Sequence, residues 1–325
     1  MNVSVIIPIY NVEKYAERCI LSIMNQSYTE DVECIVVNDC TPDNSMKIVE
    51  RLVADYKGPI QFKLLYHEHN KGLAAVRNTG LYAASGNYII HIDSDDYCEP
   101  DMLEKMYAKA VEEDADVVVA DYWETYLDKE IYKAQMLPEK RKDYVKAFIE
   151  EQMAAAFWNK MIRRDFLIKN QLMSIEGIDM GEDILLIHRL FFYVHRVVHL
   201  PMAFVHYVCY NPNSYCQSMS KKSLENFIAG EKILLDFYTK VGLRTEIYNE
   251  LLKMRMRNWL LLLLRSKGEQ QKEWNILYSD IKIREIVKYH PYGKGQICLL
   301  LAAMDLLPVL NFLRYIKNKI LILVK

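Results

Sequence analysis

The chain has 325 residues, 51% of them hydrophobic and 26% charged, enough to bury a sizeable core in about two units and unlike a disordered or fibrous chain. Forty-one basic against 43 acidic side chains give −2, which argues against a general nucleic-acid binder. That total hides an asymmetry: residues 1–220 carry 22 basic and 33 acidic groups (−11), residues 221–325 carry 19 and 10 (+9), so the basic C-terminal third points to an anionic partner such as a membrane surface.

Val3–Ile9 is a continuous β-branched run, as a strand buried on both faces would be. Over Val12–Asn25, apolar residues at 12, 15, 16, 19, 20, 23 and 24 recur at helical spacing. Val32–Val37 predicts a second buried strand, Asn44–Tyr56 a helix, Phe62–His67 a strand and Leu73–Ala84 a helix. Tyr88–Ile92 reads as a strand, Asp101–Glu113 as a helix and Asp116–Ala120 as a strand. This alternation with short connections predicts an α/β, mostly parallel, Rossmann-like sheet flanked by helices. From Tyr122 the pattern loosens, with helices near Asp143–Gln152 and Asp183–Phe192 and a strand-like run His195–Tyr210. From about Ser223 the chain reads as helices, including Glu246–Leu264 and the apolar segment Ile297–Leu313, which Arg314, Lys317, Lys319 and Lys325 follow. The expected organisation is 1–121 and 122–220 as two halves of one domain, then a helical C-terminal region, 221–325.

The seven cysteines (19, 34, 40, 98, 209, 216 and 298) are odd in number and form no C-x-x-C pair. A disulfide framework or zinc ribbon is not expected, and a reducing cytoplasm is the default. The N-terminus, MNVSVIIPIYN, has neither a basic n-region nor a cleavage site, so no export is read from it.

Chemistry concentrates where strands end. Tyr88–Ile92 runs into Asp93-Ser94-Asp95-Asp96, and ligands of open α/β sheets sit at the carboxyl ends of strands. Crowded carboxylates there suit Mg²⁺ or Mn²⁺ shared with phosphates; a solvated turn or an N-cap is the other reading. Asp39 ends the second strand and Pro8 and Tyr10-Asn11 the first, so strands one, two and four build one cleft. Neither G-x-G-x-x-G nor G-x-x-x-x-G-K-[ST] occurs where a dinucleotide fold or a P-loop needs it. Glu182-Asp183 before Ile184-Leu-Leu-Ile187 is by itself a plausible helix N-terminus.

In order and spacing, Val3-Ser-Val-Ile-Ile-Pro-Ile-Tyr-Asn11, Val36-Val-Asn-Asp39, Asn70-Lys-Gly-Leu-Ala74, Arg77-Asn78 and Asp93-Ser-Asp-Asp96 closely resemble the family 2 glycosyltransferases, which have the GT-A fold and make bacterial surface polysaccharides. The resemblance covers about residues 1–215. It implies a nucleotide diphosphate sugar donor, a UDP-sugar in the first instance, and inverting transfer to a saccharide or lipid-linked saccharide hydroxyl. It also implies roles for named residues. Asp39 is the base-and-ribose carboxylate, and Pro8 and Tyr10 wall the nucleobase, with Asn11 and Glu13 beside them. Lys71 and Arg77 lie near the diphosphate. Asp93 and Asp95 bind ribose and metal, flanked by Ser94, and Asp96 reaches the donor sugar. Trp158-Asn159-Lys160 stands near the acceptor, and Asp183 is the catalytic base with Glu182 orienting it. The implied cofactor is Mn²⁺ or Mg²⁺.

Two departures stand out. The turn after Asp39 reads Cys40-Thr-Pro-Asp43 where relatives have Gly-Ser, and the stretch His206-Tyr207-Val-Cys-Tyr210-Asn211-Pro212 lacks a late arginine that helps hold the leaving diphosphate. His206 or Tyr207 is the candidate substitute, and His206 a candidate third metal ligand beside Asp95 and Asp93. A strand histidine with a satisfied hydrogen bond is the plainer reading. His67-Glu-His69 has no companion ligands at zinc spacing. Ile297–Leu313 is short for a span and contains Asp305 and Pro308. A basic amphipathic element of 297–325 lying on the inner face of the plasma membrane fits the charge better; a docked helical hairpin or a dimer interface is the alternative. The rival functions are a sugar nucleotidyltransferase, which would need a Gly-rich, Arg-containing loop after strand one, and an inactive sugar-nucleotide-binding protein.

Overall fold

The first buried run becomes β1 (Val3–Ile9), every residue of it buried, and the elements after it stack upon it in alternation. The structure, a computed structural model, describes residues 1–140, 143–212, 214 and 220–323. Cys216 and Lys325 lie outside the described residues, as do the side chains of Lys317 and Lys319. The chain divides into Met1–Leu234 and Leu235–Lys325.

In the first unit α1 (Ala16–Met24), β2 (Val32–Asn38), α2 (Ser45–Asp55), β3 (Gln61–Tyr66), α3 (Leu73–Ala83) and β4 (Tyr88–His91) follow the alternation. Then come β5 (Tyr97–Cys98), α4 (Met102–Glu112), β6 (Val117–Thr125), β7 (Glu130–Lys133), α5 (Tyr144–Ile149), β8 (Lys160–Arg163), α6 (Arg164–Lys169), α7 (Glu182–Tyr193) and β9 (Val197–Val208). Among the described residues one nine-stranded sheet has the order β3-β2-β1-β4-β8-β6-β9-β5, with β7 on β6. β1 to β4 are parallel, as is β6 to β9, while β8 runs antiparallel between β4 and β6. The α/β, mostly parallel expectation therefore holds, with β8 reversed at the centre and the short strands β5 and β7 also antiparallel to their neighbours. Apolar layers cover both faces, one around Val5, Ile7, Ile20 and Met102 and one around Ile6, Ile35, Phe157 and Leu190.

Because β2, β1 and β4 are neighbours, Asp39, Tyr10 and Asp93 leave the sheet at the same edge. The short strands β5, β7 and β8 carry no clear alternation and were not among the predicted elements. β8 matters most, because it takes Lys160 into the middle of the sheet.

α8 (Lys221–Lys240) leads into the second unit, which contains α9 (Tyr248–Arg265), α10 (Gly268–Ile276), α11 (Ile283–Tyr289), α12 (Lys294–Ala303) and α13 (Leu307–Leu323). Trp259 is 1% exposed, stacks on Tyr278 and donates through Nε1 to Asn275 at 3.0 Å. The segment Ile297–Leu313, read as one apolar stretch, is broken. Asp305 takes a left-handed φ of +58°, ending α12, and Pro308 sits in the first turn of α13, where its missing N–H costs nothing.

Candidate active site

The β2 edge is built around Asp39, which is 2% exposed. Its Oδ1 accepts from the Lys71 backbone N–H at 2.8 Å and its Oδ2 from that of Gly72 at 2.9 Å. His67 Nδ1 lies 2.7 Å from Oδ1, and its Nε2 lies 2.9 Å from Thr79 Oγ1, so His67 is an internal strut. Asp39 thus pins the turn that starts α3. Gly72 makes that turn possible: its φ is +91°, and a Cβ there would strike the Asp179 carboxylate. Pro8 is buried, whereas Tyr10 (45% exposed) and Lys71 stand open at the rim. Asn11, at φ +55°, donates its backbone N–H to Thr41 Oγ1, and Glu13 accepts from Asn44.

The centre of the site is Arg77, projected from α3. It is 3% exposed and lies over the Phe157 ring. Its Nε donates to Glu182 Oε1 at 3.0 Å and its Nη2 to Asp93 Oδ1 at 2.9 Å. The guanidinium therefore joins the end of β4 to the start of α7, two places 89 residues apart in the chain. Its Nη1 is buried without a partner among the described residues. Burial opposes its charge, and Asp93, Glu182 and Asp183 more than offset that, raising its pKa.

Glu182 and Asp183 open α7 after Gly181, which is left-handed at φ +81°. Acids there complement the helix dipole, and Asp183 Oδ1 accepts from the Ile184 N–H at 2.7 Å. Glu182 is 3% exposed; Asp183 keeps part of its surface open. Burial pushes Asp183 above the ordinary carboxylate range while Arg77 pulls the other way. Burial and then Asp183 push Glu182 up. Asn159 and Lys160 have no exposed surface. Lys160 Nζ donates to the carbonyls of Ala154 (2.6 Å) and Ala156 (2.9 Å) and to Asn159 Oδ1 (2.7 Å), and Asn159 to the Ala120 carbonyl. Burial lowers Lys160 to about 7, with Asp183 pulling it up. Trp158 is 7% exposed and stacks on Tyr207. The W-N-K segment is thus placed under the site rather than along its surface, because β8 enters the sheet there.

Asp93 and Asp95 are partly open, and Ser94 is buried. Burial and then Asp93 raise Asp95. Asp96 is 1% exposed, accepts from the Val208 N–H at 2.8 Å, and is raised well above its ordinary range by burial and then Asp95; it is tied to β9. Among the described residues no group of three His, Cys, Asp or Glu is arranged to hold an ion. Two oxygen-donor carboxylates remain, Asp95 and Asp93, which fit a hard cation that keeps waters and takes phosphate oxygens.

His206 does not join them. Its Nδ1 lies 2.8 Å from Glu130 Oε1 and its Nε2 2.9 Å from Glu99 Oε1, and Tyr97 stacks on its ring at 4.3 Å. Both nitrogens face carboxylates of the β5–β7 region, and neither is directed at Asp95. The partners that do reach Asp95 escaped the sequence reading. Asn211 donates to Asp95 Oδ2 at 2.8 Å. Arg18 of α1 donates to the Asp95 carbonyl at 3.3 Å and to Tyr210 Oη at 2.8 Å, and lies over Tyr97 at 4.1 Å. Asn211 stands five residues beyond His206 in the same stretch, and nothing in the spacing singles it out.

Comparison with known proteins identifies the family and the fold. The model of glycosyl transferase family 2 matches residues 4–170. The chain is 34% identical over 236 residues to a putative glycosyltransferase, EpsH, of Bacillus subtilis (strain 168), covering 70% of this chain and 66% of that one. It is 30% identical over 308 residues to an uncharacterized glycosyltransferase, EpsJ, of the same organism, covering 89% and 87%. In fold it is similar to S. aureus TarS 1-349, crystallised with UDP (TM-score 0.69, 21% identity, 95% and 88% covered) and with UDP-GlcNAc (TM-score 0.68, 20% identity, 95% and 89% covered). The fold is that of the GT-A glycosyltransferases.

Proposed function

This chain belongs to glycosyl transferase family 2, and from that premise we propose that it moves a sugar from a UDP-sugar, with inversion, to a hydroxyl of a saccharide or lipid-linked saccharide in surface polysaccharide synthesis. The observation that carries the reading is the Arg77 bridge between Asp93 and Glu182, which sets a carboxylate pair at a helix start against a carboxylate pair at a strand end. The UDP and UDP-GlcNAc complexes of the structural neighbour support the choice of donor. Residues 1–121 supply the donor side and 122–220 the acceptor side.

The reaction asks little of the protein. Breaking the anomeric bond loads charge on the diphosphate, and the unpartnered Nη1 of Arg77 suits one of its oxygens. Asp95 and Asp93 would hold Mn²⁺ or Mg²⁺, which when bound would supply Lewis-acid stabilisation of the same charge. The acceptor hydroxyl gives its proton to the open carboxylate of Asp183 as it attacks the opposite face of the sugar. Glu182, locked on Arg77, orients that pair. Asp39 holds the turn that carries Lys71 and leaves lone-pair capacity for a base or ribose.

The test is a thermal-shift panel of nucleotide sugars with Mn²⁺, followed by transfer assays on the stabilising donor. A UDP-sugar should stabilise the protein and be turned over. Activity with a nucleoside triphosphate and a sugar phosphate instead would establish the nucleotidyltransferase and refute this reading.

A further inference from the structure

Helix α13 has two apolar faces and only one is covered. Leu307 (5% exposed) and Leu310 (2%) are buried. On the same side Asn311 donates to Gln271 at 2.7 Å, and Arg314 donates to the carbonyls of Leu263 and Leu264 at 2.9 and 2.6 Å, the last turn of α9. Val309, Phe312, Leu313 and Ile316 recur at helical spacing on the opposite side and are 42%, 61%, 48% and 38% exposed. A contiguous exposed apolar patch of this kind marks a contact surface.

We infer that this outer face of α13 docks on an anionic lipid bilayer. Charge selects the occupant. Residues 235–325 hold 16 basic and 8 acidic side chains, and residues 294–325 hold five basic (Lys294, Arg314, Lys317, Lys319, Lys325) and one acidic, Asp305. A two-fold dimer through this face would set a net +8 against another +8, whereas an anionic headgroup layer meets the apolar stripe and the net positive charge together. Among the described residues no helix is long and apolar enough to cross a membrane, so α13 lies in the interface plane with Phe312 and Leu313 sunk below the headgroups. The inference rests on the glycosyltransferase reading only for its purpose, which is to bring the site to a lipid-linked acceptor.

The full-length chain is sedimented with phosphatidylglycerol vesicles and with phosphatidylcholine vesicles, as wild type, as Phe312→Glu with Leu313→Glu, and as Val111→Glu, an equally apolar surface residue of α4 (56% exposed). Wild type and Val111→Glu should bind phosphatidylglycerol, more weakly in high salt, and the double variant should bind ~10-fold less or worse. UDP binding, read in the same preparations, should be equal in all three, so a lost donor site is distinguishable from a lost surface. Equal vesicle binding by wild type and the double variant overturns the inference. So does a wild type that ignores both vesicles, including one that forms a dimer in light scattering that the double variant dissolves.

Discussion

Arg77 carries more of the account than any other side chain, because it is buried and its two bonds join the end of β4 to the start of α7. Removing it leaves Glu182 buried beside Asp183 with no counter-charge. Arg77→Met should therefore lose about 3–5 kcal/mol of stability in urea unfolding, and adding Glu182→Leu should restore most of it, since the uncompensated charge is then gone. Unchanged stability in the single variant would remove the bridge from the account. Asp183 makes a second prediction. The proposed base must be ionised, and burial raises the pKa of Asp183, so transfer should fail as pH falls through a value above the ordinary Asp range. A kcat/KM profile whose acid limb sits at an ordinary carboxylate pKa would contradict Asp183 as that base. Carboxylates at strand ends, Asp39 and Asp93, were legible in the sequence because a buried apolar run announces where a strand stops. Arg18 and Asn211 were not, because each meets Asp95 through a packing of distant segments that leaves no local pattern.

Of the secondary elements, β2 holds the least expected residue. Glu33 sits in the buried run of β2, Val32 to Val37, and is 0% exposed. Ser4 Oγ and the Ser85 N–H and Oγ donate to it at 2.6, 2.6 and 2.8 Å, and Lys63 Nζ lies 2.5 Å away. Burial pushes its pKa up, and these four donors bring it down to about 2. A carboxylate held below its unfolded value stabilises the fold above that value, and the stabilisation fades as pH drops from about 4.5 to about 2. Glu33→Gln should cost on the order of 2–3 kcal/mol at pH 7 and much less at pH 3 by denaturant unfolding; an equal cost at both would show that shape, not charge, is at stake. The parallel strands and their helices were readable because each keeps one period. β8 escaped because four residues give no alternation to count, and so the buried place of Asn159 and Lys160 escaped with it. The break at Asp305 was missed because apolar composition continues straight through it.

For the molecule as a whole, the net charge of −2 averages an acidic sheet unit and a basic helical one. The tail is structural as well as a candidate surface, since Leu299, Ala302, Leu307 and Leu310 are buried and Arg314 closes the end of α9. Deleting residues 297–325 should therefore cost more helical circular dichroism than the deleted residues contain, whereas Phe312→Glu with Leu313→Glu should leave the spectrum unchanged. A deletion that loses only its own helices would make the tail an appendage.

The most direct test of the site is Asp183→Asn, with UDP binding by calorimetry in Mn²⁺ set beside single-turnover sugar transfer. The proposed mechanism gives the carboxylate pair on α7 and the pair after β4 separate tasks, so the variant should bind UDP like wild type and transfer ~10²–10⁴-fold more slowly. Transfer at the wild-type rate, or loss of UDP binding together with transfer, would contradict the assignment of Asp183 as the base.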